Sequence, residues 1–230
     1  MPRTKTAISC LLASLLLILS TLPVWGADKG KDEETLRNAA NVLTAMLESK
    51  DVPAGVVAKA DCVIVLPTVK KFAVGLGGTG GRGPMSCREG KNFTGKWSAP
   101  SMYTIGGASA GLQLGGTASD IVLLIMAPAT VDKVLDAKVK IGTDATAAAG
   151  PGATATGTMG DANILTYSRT SGVFAGISLN GATLNPDGDA NQRIYGKPLS
   201  ARDIVTGEVK PTSAGQPFVS LLDSKAGKHM

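Results

Sequence analysis

From Ser98 to Ser119 the chain carries no charge, and five of these 22 positions are glycine: Gly106, Gly107, Gly111, Gly115 and Gly116. The stretch is too rich in Gly, Ser and Thr to be a membrane-spanning helix. Its small residues suit strands that pack closely or bulge. The segments around it agree: "CVIVLP", "MYTIGG", "GLQLGG", "DIVLLIM", "NILTYS" and "GVFAGISL" are short apolar runs bounded by Pro, Gly, Ser or Asn, the pattern of strands and hairpins.

Helical periodicity is confined to a few places. Leu36, Ala39, Ala40, Leu43, Met46 and Leu47 recur at three- and four-residue steps, which predicts an amphipathic helix over about 32–50, stopped by Pro53 and Gly55. "PATVDKVLDAKVK" sets Pro128 early in a second helix, with Val131, Val134 and Leu135 on one face. In "SARDIVTG", Ser200 and Asp203 have capping-box spacing and Gly207 closes the end. "DATAAAGPGATATGTM", residues 144–159, reads as two thin strands about Gly150-Pro151-Gly152. The expected fold is α+β: a β-rich single domain of antiparallel strands and hairpins, barrel- or sandwich-like, with an N-terminal amphipathic helix and two or three short helices.

Arg3 and Lys5 precede an uncharged apolar run from Ala7 to Val24, followed by Gly26 and Ala27, the layout of a secretory signal peptide over 1–26. Cys10 precedes the apolar region that a lipid-modified Cys should follow, so the leader is not of the lipoprotein kind. Its removal takes 26 of 230 residues and lowers the formal charge from +5 to +3. That leaves one domain over 27–210 and a tail over 211–230, with an expected periplasmic or envelope location. So small a charge argues against nucleic acid, which calls for a concentrated basic face. Cys62 and Cys87 remain, either bridged or as two buried thiols, in a compartment where disulfides persist.

Catalytic chemistry finds little support. The single histidine is His229, next to the last residue, which removes Ser-His-Asp and Cys-His sites. Two cysteines without a usable histidine are not a zinc set. Asp187-x-Asp189-x-Asn191 opens like a calcium loop, but Gln192 and Pro198 occupy the places of its Gly and Glu, so it reads as a polar turn. Asp120, Asp144 and Asp161 would matter as glycosidase carboxylates only if the fold gathered them in a deep pocket.

"FAVGLGGTGGRG", residues 72–83, contains Gly75-x-Gly77-x-x-Gly80, the spacing of a dinucleotide loop. Gly81-Arg82-Gly83-Pro84 cannot open the helix such a loop needs, and Lys96, Trp97 and Ser98 stand where its ribose-binding acid belongs. The stretch reads instead as a strand running into a glycine-rich turn, with Lys70, Lys71, Arg82 and Arg88 about it. Facing an anionic membrane, these four cations would contribute about 4 kcal/mol, only about millimolar binding. Inserted apolar groups must supply the rest.

The segments "KADCVIVLPTVKKFAVGLGGTGGRGPMSCR", "WSAPSMYTIGGASAGLQLGGTASDIVLLIM", "KVKIGTDATAAAGP", "ILTYSRTSGVFAGISLNGATL" and "DANQRIYG", in this order from about Val52 to Gly207, resemble the SYLF domain family. The resemblance implies a non-enzymatic, cofactor-free phospholipid-binding domain, with phosphoinositide recognition in animal members, actin association in fungal ones, and an amphipathic N-terminal helix that contributes to membrane contact. The matching helix here is flanked by Lys29, Lys31 and Arg37, but also by Asp28, Asp32, Glu33 and Glu34, so it is less basic than a polyphosphoinositide binder wants. Export separates the chain from cytosolic actin and inositol lipids, leaving general phospholipid contact, through Lys29, Lys31, Arg37, Lys70, Lys71, Arg82 and Arg88, as the implied activity. Cys62 and Cys87 lie inside the matching motifs, which marks them as structural. An envelope protein partner is the competing expectation.

Overall fold

A computed structural model describes residues 25–74, 76–90, 92–110, 115–150, 162–174 and 179–227. The leader up to Val24, residues 151–159 of the expected 144–159 hairpin, Asp161 and His229 lie outside the described residues.

The first element is helix α1 (Trp25–Glu48), which begins seven residues before the expected start at about 32, followed by the single turn α2 (Ala54–Val57). Then come β1 (Cys62–Val74), β2 (Leu76–Cys87), β3 (Ser101–Ala110) and β4 (Gly115–Ile125). After helix α3 (Pro128–Asp136) follow β5 (Val139–Lys140), β6 (Ala147–Ala149), β7 (Ile164–Thr170), β8 (Val173–Phe174) and β9 (Thr183–Pro186). Helices α4 (Gly188–Tyr195), α5 (Ala201–Thr206) and α6 (Gln216–Lys225) close the order. The strands form one curled sheet in the order β5-β9-β3-β2-β1-β4-β7-β6, with β8 on β7. Every pairing is antiparallel except β6 with β7.

Helices cover both faces of the sheet, and this explains the continuous apolar runs. Along β1 and β4, Cys62, Ile64, Leu66, Ile121, Leu123 and Ile125 join a core with Val131, Val134 and Leu135 of α3 and Ala201 and Val205 of α5. Their neighbours Val63, Val65, Val122 and Leu124 point the other way, to Ala39, Ala40, Leu43 and Met46 of α1 and Phe218, Val219 and Leu222 of α6. A strand buried on both faces needs apolar residues at successive positions, not alternate ones. The segment expected as a tail thus contains α6, whose apolar side chains complete the second core.

"FAVGLGGTGGRG" is not a turn but mostly strand. The chain reverses between Val74 and Leu76, which pair with each other, and the glycines run on as β2 between β1 and β3. Pro84 is tolerated in this interior strand because the β1–β2 register breaks between Ile64 and Lys70, so no β1 carbonyl there requires its missing N–H. In the same gap a Cβ on Gly83 would lie 1.9 Å from the carbonyl oxygen of Val65, so only glycine lets the backbones approach. At the start of the hairpin Cys62 and Cys87 stand opposite each other, fully buried and joined by a disulfide.

Candidate functional site

The bulge in β1 divides the strand. Up to Leu66 both faces are buried; then Thr68 takes a left-handed backbone (φ 54°) and donates its N–H to Asp120 Oδ1 at 2.9 Å. Beyond it Lys70, Lys71 and Phe72 pair with Gly80, Thr79 and Gly78 of β2 and with Ala118, Thr117 and Gly116 of β4, leaving the core. Lys70 is exposed and Lys71 half-buried, its ammonium pKa lowered by desolvation. Phe72 is 61% exposed, and its ring lies against Gly78, where an added Cβ would meet it at 2.7 Å. At this end of the sheet, residues 69–81, 105–110 and 115–119 include no acid.

Successive residues of a strand point to opposite faces. Val69 belongs to the core beneath α3, which puts Lys71 on that face and Lys70 and Phe72 on the α1 face. The adjacent lysines therefore flank the sheet instead of sharing one surface.

The other expected cations are elsewhere. Arg82 donates to Asp32 of α1, a carboxylate with no exposed surface, and lies 3.6 Å from Asp187. Arg193 of α4 grips the same Asp32, its Nε donating at 2.7 Å, which raises the guanidinium pKa. Asp187 caps α4 by accepting from the Ala190 N–H at 3.0 Å, and Asn191 accepts from the Met102 N–H at 2.7 Å. The calcium-like spacing is thus a helix start. Arg88 is 1% exposed; it stacks on Trp97 with 4.4 Å to the ring centroid and donates to the carbonyls of Ala58, Gly95, Ala226 and Gly227, holding the end of α6. It follows Cys87, which faces Cys62, so along β2 it stands eight residues, about 26 Å at ~3.3 Å per residue, from Gly80, the partner of Lys70. Burial lowers its guanidinium pKa, with Asp223 and Asp61 opposing the shift. Neither arginine is spare for a headgroup.

Lys29, Lys31 and Arg37 are exposed on α1, where Lys31 pairs with Asp28 at 3.2 Å and Arg37 with Glu33 at 3.9 Å. The apolar stripe between them faces inward: Leu36, Leu43 and Met46 are fully buried. Lifting α1 onto a membrane would also bare Val63, Val65, Val122 and Leu124, at roughly 1.5–3 kcal/mol each. That exceeds what a few surface cations return at about 1 kcal/mol apiece, so in this fold the stripe serves as core.

The aspartates are spent locally. Asp120 holds the bulge, and Asp144 accepts from the Lys140 N–H at 2.7 Å. A cavity of about 630 Å³ beside Asp144 is lined by Asp132 and Asp136, both paired with Arg202, and by Lys133 and Lys138. Among the described residues no three His, Cys, Asp or Glu side chains are grouped to hold a metal ion, and no helix is long and apolar enough to cross a membrane. Phe72 and Asp32 carry what sequence reasoning missed. Phe72 counted only as a strand residue, and Asp32 as an acid diluting a basic helix.

The Ysc84 family model, described as "Las17-binding protein actin regulator", matches residues 106–225. The SH3 domain-containing YSC84-like protein 1 of Bos taurus is 30% identical over 208 residues, covering 86% of this chain and 59% of that protein. An SH3 domain-containing protein of Schizosaccharomyces pombe is 29% identical over 205 residues, covering 82% and 46%. Protein YSC84 of Saccharomyces cerevisiae is 30% identical over 139 residues, covering 57% and 30%. The chain thus spans about half the length of the first relatives it matches. No solved structure matches it significantly.

Proposed function

The chain belongs to the Ysc84 (SYLF) family, and from that premise we propose that it is a non-enzymatic phospholipid-binding protein of the cell envelope, reached by export. It touches anionic headgroups with Lys70 and Lys71 and the outer acyl region with Phe72. One observation carries this reading: a largely exposed aromatic that directly follows two lysines, at an end of the sheet whose described strand residues include no acid. Two cations contribute about 2 kcal/mol and a partly inserted aromatic about as much again, so the contact is weak, reversible and screened by salt.

The protein purified after export should co-sediment with phosphatidylglycerol vesicles at low salt and release at 0.5 M salt. Lys70→Glu together with Lys71→Glu should reduce the bound fraction by about tenfold or more. Equal sedimentation of parent and variant refutes the role given to these lysines. Las17 binding and actin regulation are named in the family description; recovery of the protein with filamentous actin, unchanged by vesicles, would favour a protein partner instead. Cell fractionation tests the location, and recovery in the cytosol would refute it.

A further inference from the structure

We infer that the protein meets an anionic phospholipid bilayer end-on, the hairpin end of the sheet entering the interface with Phe72 on one face and Val173 on the other. This rests on the lipid contact proposed above and adds its orientation and depth.

Among the described residues the large hydrophobic side chains left exposed are Phe72, at 61%, and Val173, at 68%. Register places both at the same end of the sheet. Val173 pairs with Thr170, Thr170 with Ser119, and Ser119 with Val69, so Val173 lies three strands from β1 and three residues short of Phe72. Strand dimensions make that about 14 Å across and about 10 Å along. Lys70 and Lys71 occupy the levels between them, and residues 170–174 add no acid.

The two side chains point in opposite directions. Ser119 Oγ and Thr170 Oγ1 are 2.6 Å apart, on the face of Val69, and Val173 shares that face by pairing with Thr170. Phe72 is on the α1 face. A folded partner, or a second copy of the chain, stacked on one face would cover one of them and leave the other in water. A fluid interface surrounds both, and it answers the lysines that flank the sheet on either side.

The sheet also sets the depth. β3 pairs with β9 only from Tyr103 to Gly106, and β4 with β7 only from Ser119 to Ile125. Nearer the tip, among the described residues, the outer edges of β3 and β4 have no strand partner. Unpaired backbone groups are costly in hydrocarbon, so the end stops among the headgroups and first methylenes.

The test adds one tryptophan at a time to the exported, purified protein, beside the buried Trp97 it already has: Phe72→Trp, Val173→Trp and, on the exposed flank of α1, Asn41→Trp. Each is measured against the parent with brominated-lipid vesicles rich in phosphatidylglycerol. End-on contact predicts added quenching at positions 72 and 173 and none at 41, while Phe72→Asp and Val173→Asp each weaken vesicle association about tenfold with unchanged circular dichroism and melting. Quenching at only one of the two positions, or at 41, with sedimentation retained, overturns the end-on geometry and leaves lipid binding standing. Loss of all sedimentation overturns both. Lipid-free self-association that Phe72→Asp abolishes would make a second copy the occupant and overturn the inference.

Discussion

Replacing Asp32 with Asn should destabilise the protein by about 3 kcal/mol. The carboxylate has no exposed surface and serves two guanidinium groups, from Arg82 and Arg193. Removing one partner of a buried ion pair costs about 3–5 kcal/mol, because the charge left behind stays desolvated. Here the arginine side chains keep 34% and 22% exposure, so each rehydrates in part and the lower end of that range applies. Asp187, 3.6 Å from Arg82, offers further relief. In urea unfolding with the disulfide intact, the midpoint should fall with little change in slope, and melting should drop by about 6–12 °C at 2–4 °C per kcal/mol for a domain of this size. Arg193→Met alone should cost less, since Arg82 still holds the carboxylate, and the double-mutant cycle between Asp32→Asn and Arg193→Met should show coupling of at least about 1 kcal/mol. The combination Asp32→Leu, Arg82→Met and Arg193→Met should recover most of the loss, as buried ion clusters replaced by apolar side chains often do. A loss below about 1 kcal/mol for Asp32→Asn would refute the view that this cluster latches α1 to the sheet.

Gly83→Ala and Gly80→Ala should separate sharply although both lie in β2: a Cβ at 83 meets a backbone oxygen at 1.9 Å, whereas none lies within 4 Å at 80. The first should cost about 3 kcal/mol and the second stay within about 0.5, read from urea midpoints. Cys62→Ala with Cys87→Ala should cost about 3.5 kcal/mol, the loop-entropy value for a separation of 25 residues; an unchanged midpoint would show that the bridge adds nothing to pairing already present. All three tyrosines should resist ionisation in the folded state. Burial raises the pKa of each: Tyr167 to about 12, and Tyr103 and Tyr195 also upward, their hydroxyls donating to the Val134 and Pro100 carbonyls at 3.0 and 2.6 Å. A phenol with a raised folded pKa contributes stability that is complete below about pH 10, its unfolded value, and is lost as pH climbs toward the folded value. Absorbance at 295 nm should therefore show no tyrosinate near pH 10 until the chain unfolds; a normal titration of even one tyrosine in folded protein contradicts its burial.

The strand content was legible because β-branched and apolar runs at "CVIVLP" and "DIVLLIM" have few other uses, and three helices could be read from periodicity or capping. The elements that escaped did so for identifiable reasons. β2, "LGGTGGRGPMSC", has almost no strand propensity of its own; it is extended because β1 and β3 pair with it on either side, which is tertiary information. In α4 two buried apolar side chains, Ala190 and Ile194, are too few for a period, and its Asp187 cap mimics a metal loop. The α6 signal was present in Phe218, Val219 and Leu222, but nearness to the chain end made a tail the simpler reading.

For the site, seven cations could be named from the sequence, but not sorted. Register sorts them: one hairpin carries Arg88 beside the disulfide, Arg82 midway under α1, and Lys70 and Lys71 near its reversal. Asp32 lies fifty residues before Arg82, so no local pattern announces that this arginine is taken. One part of the geometry was nevertheless within reach. Adjacent residues on a strand must diverge, so once Lys70 and Lys71 were assigned to a strand they could no longer serve one flat basic face. They can only flank an edge or an end. The bulge at Thr68 then decides which face of the sheet Lys70 and Phe72 share, and without it that face would be reversed. A fold built only for stability would have no reason to carry an aromatic out past its last covering helix, over glycine, just beyond two lysines. The buried network holds the rest of the sheet firm, which is the condition under which such an end keeps its shape when it meets an interface.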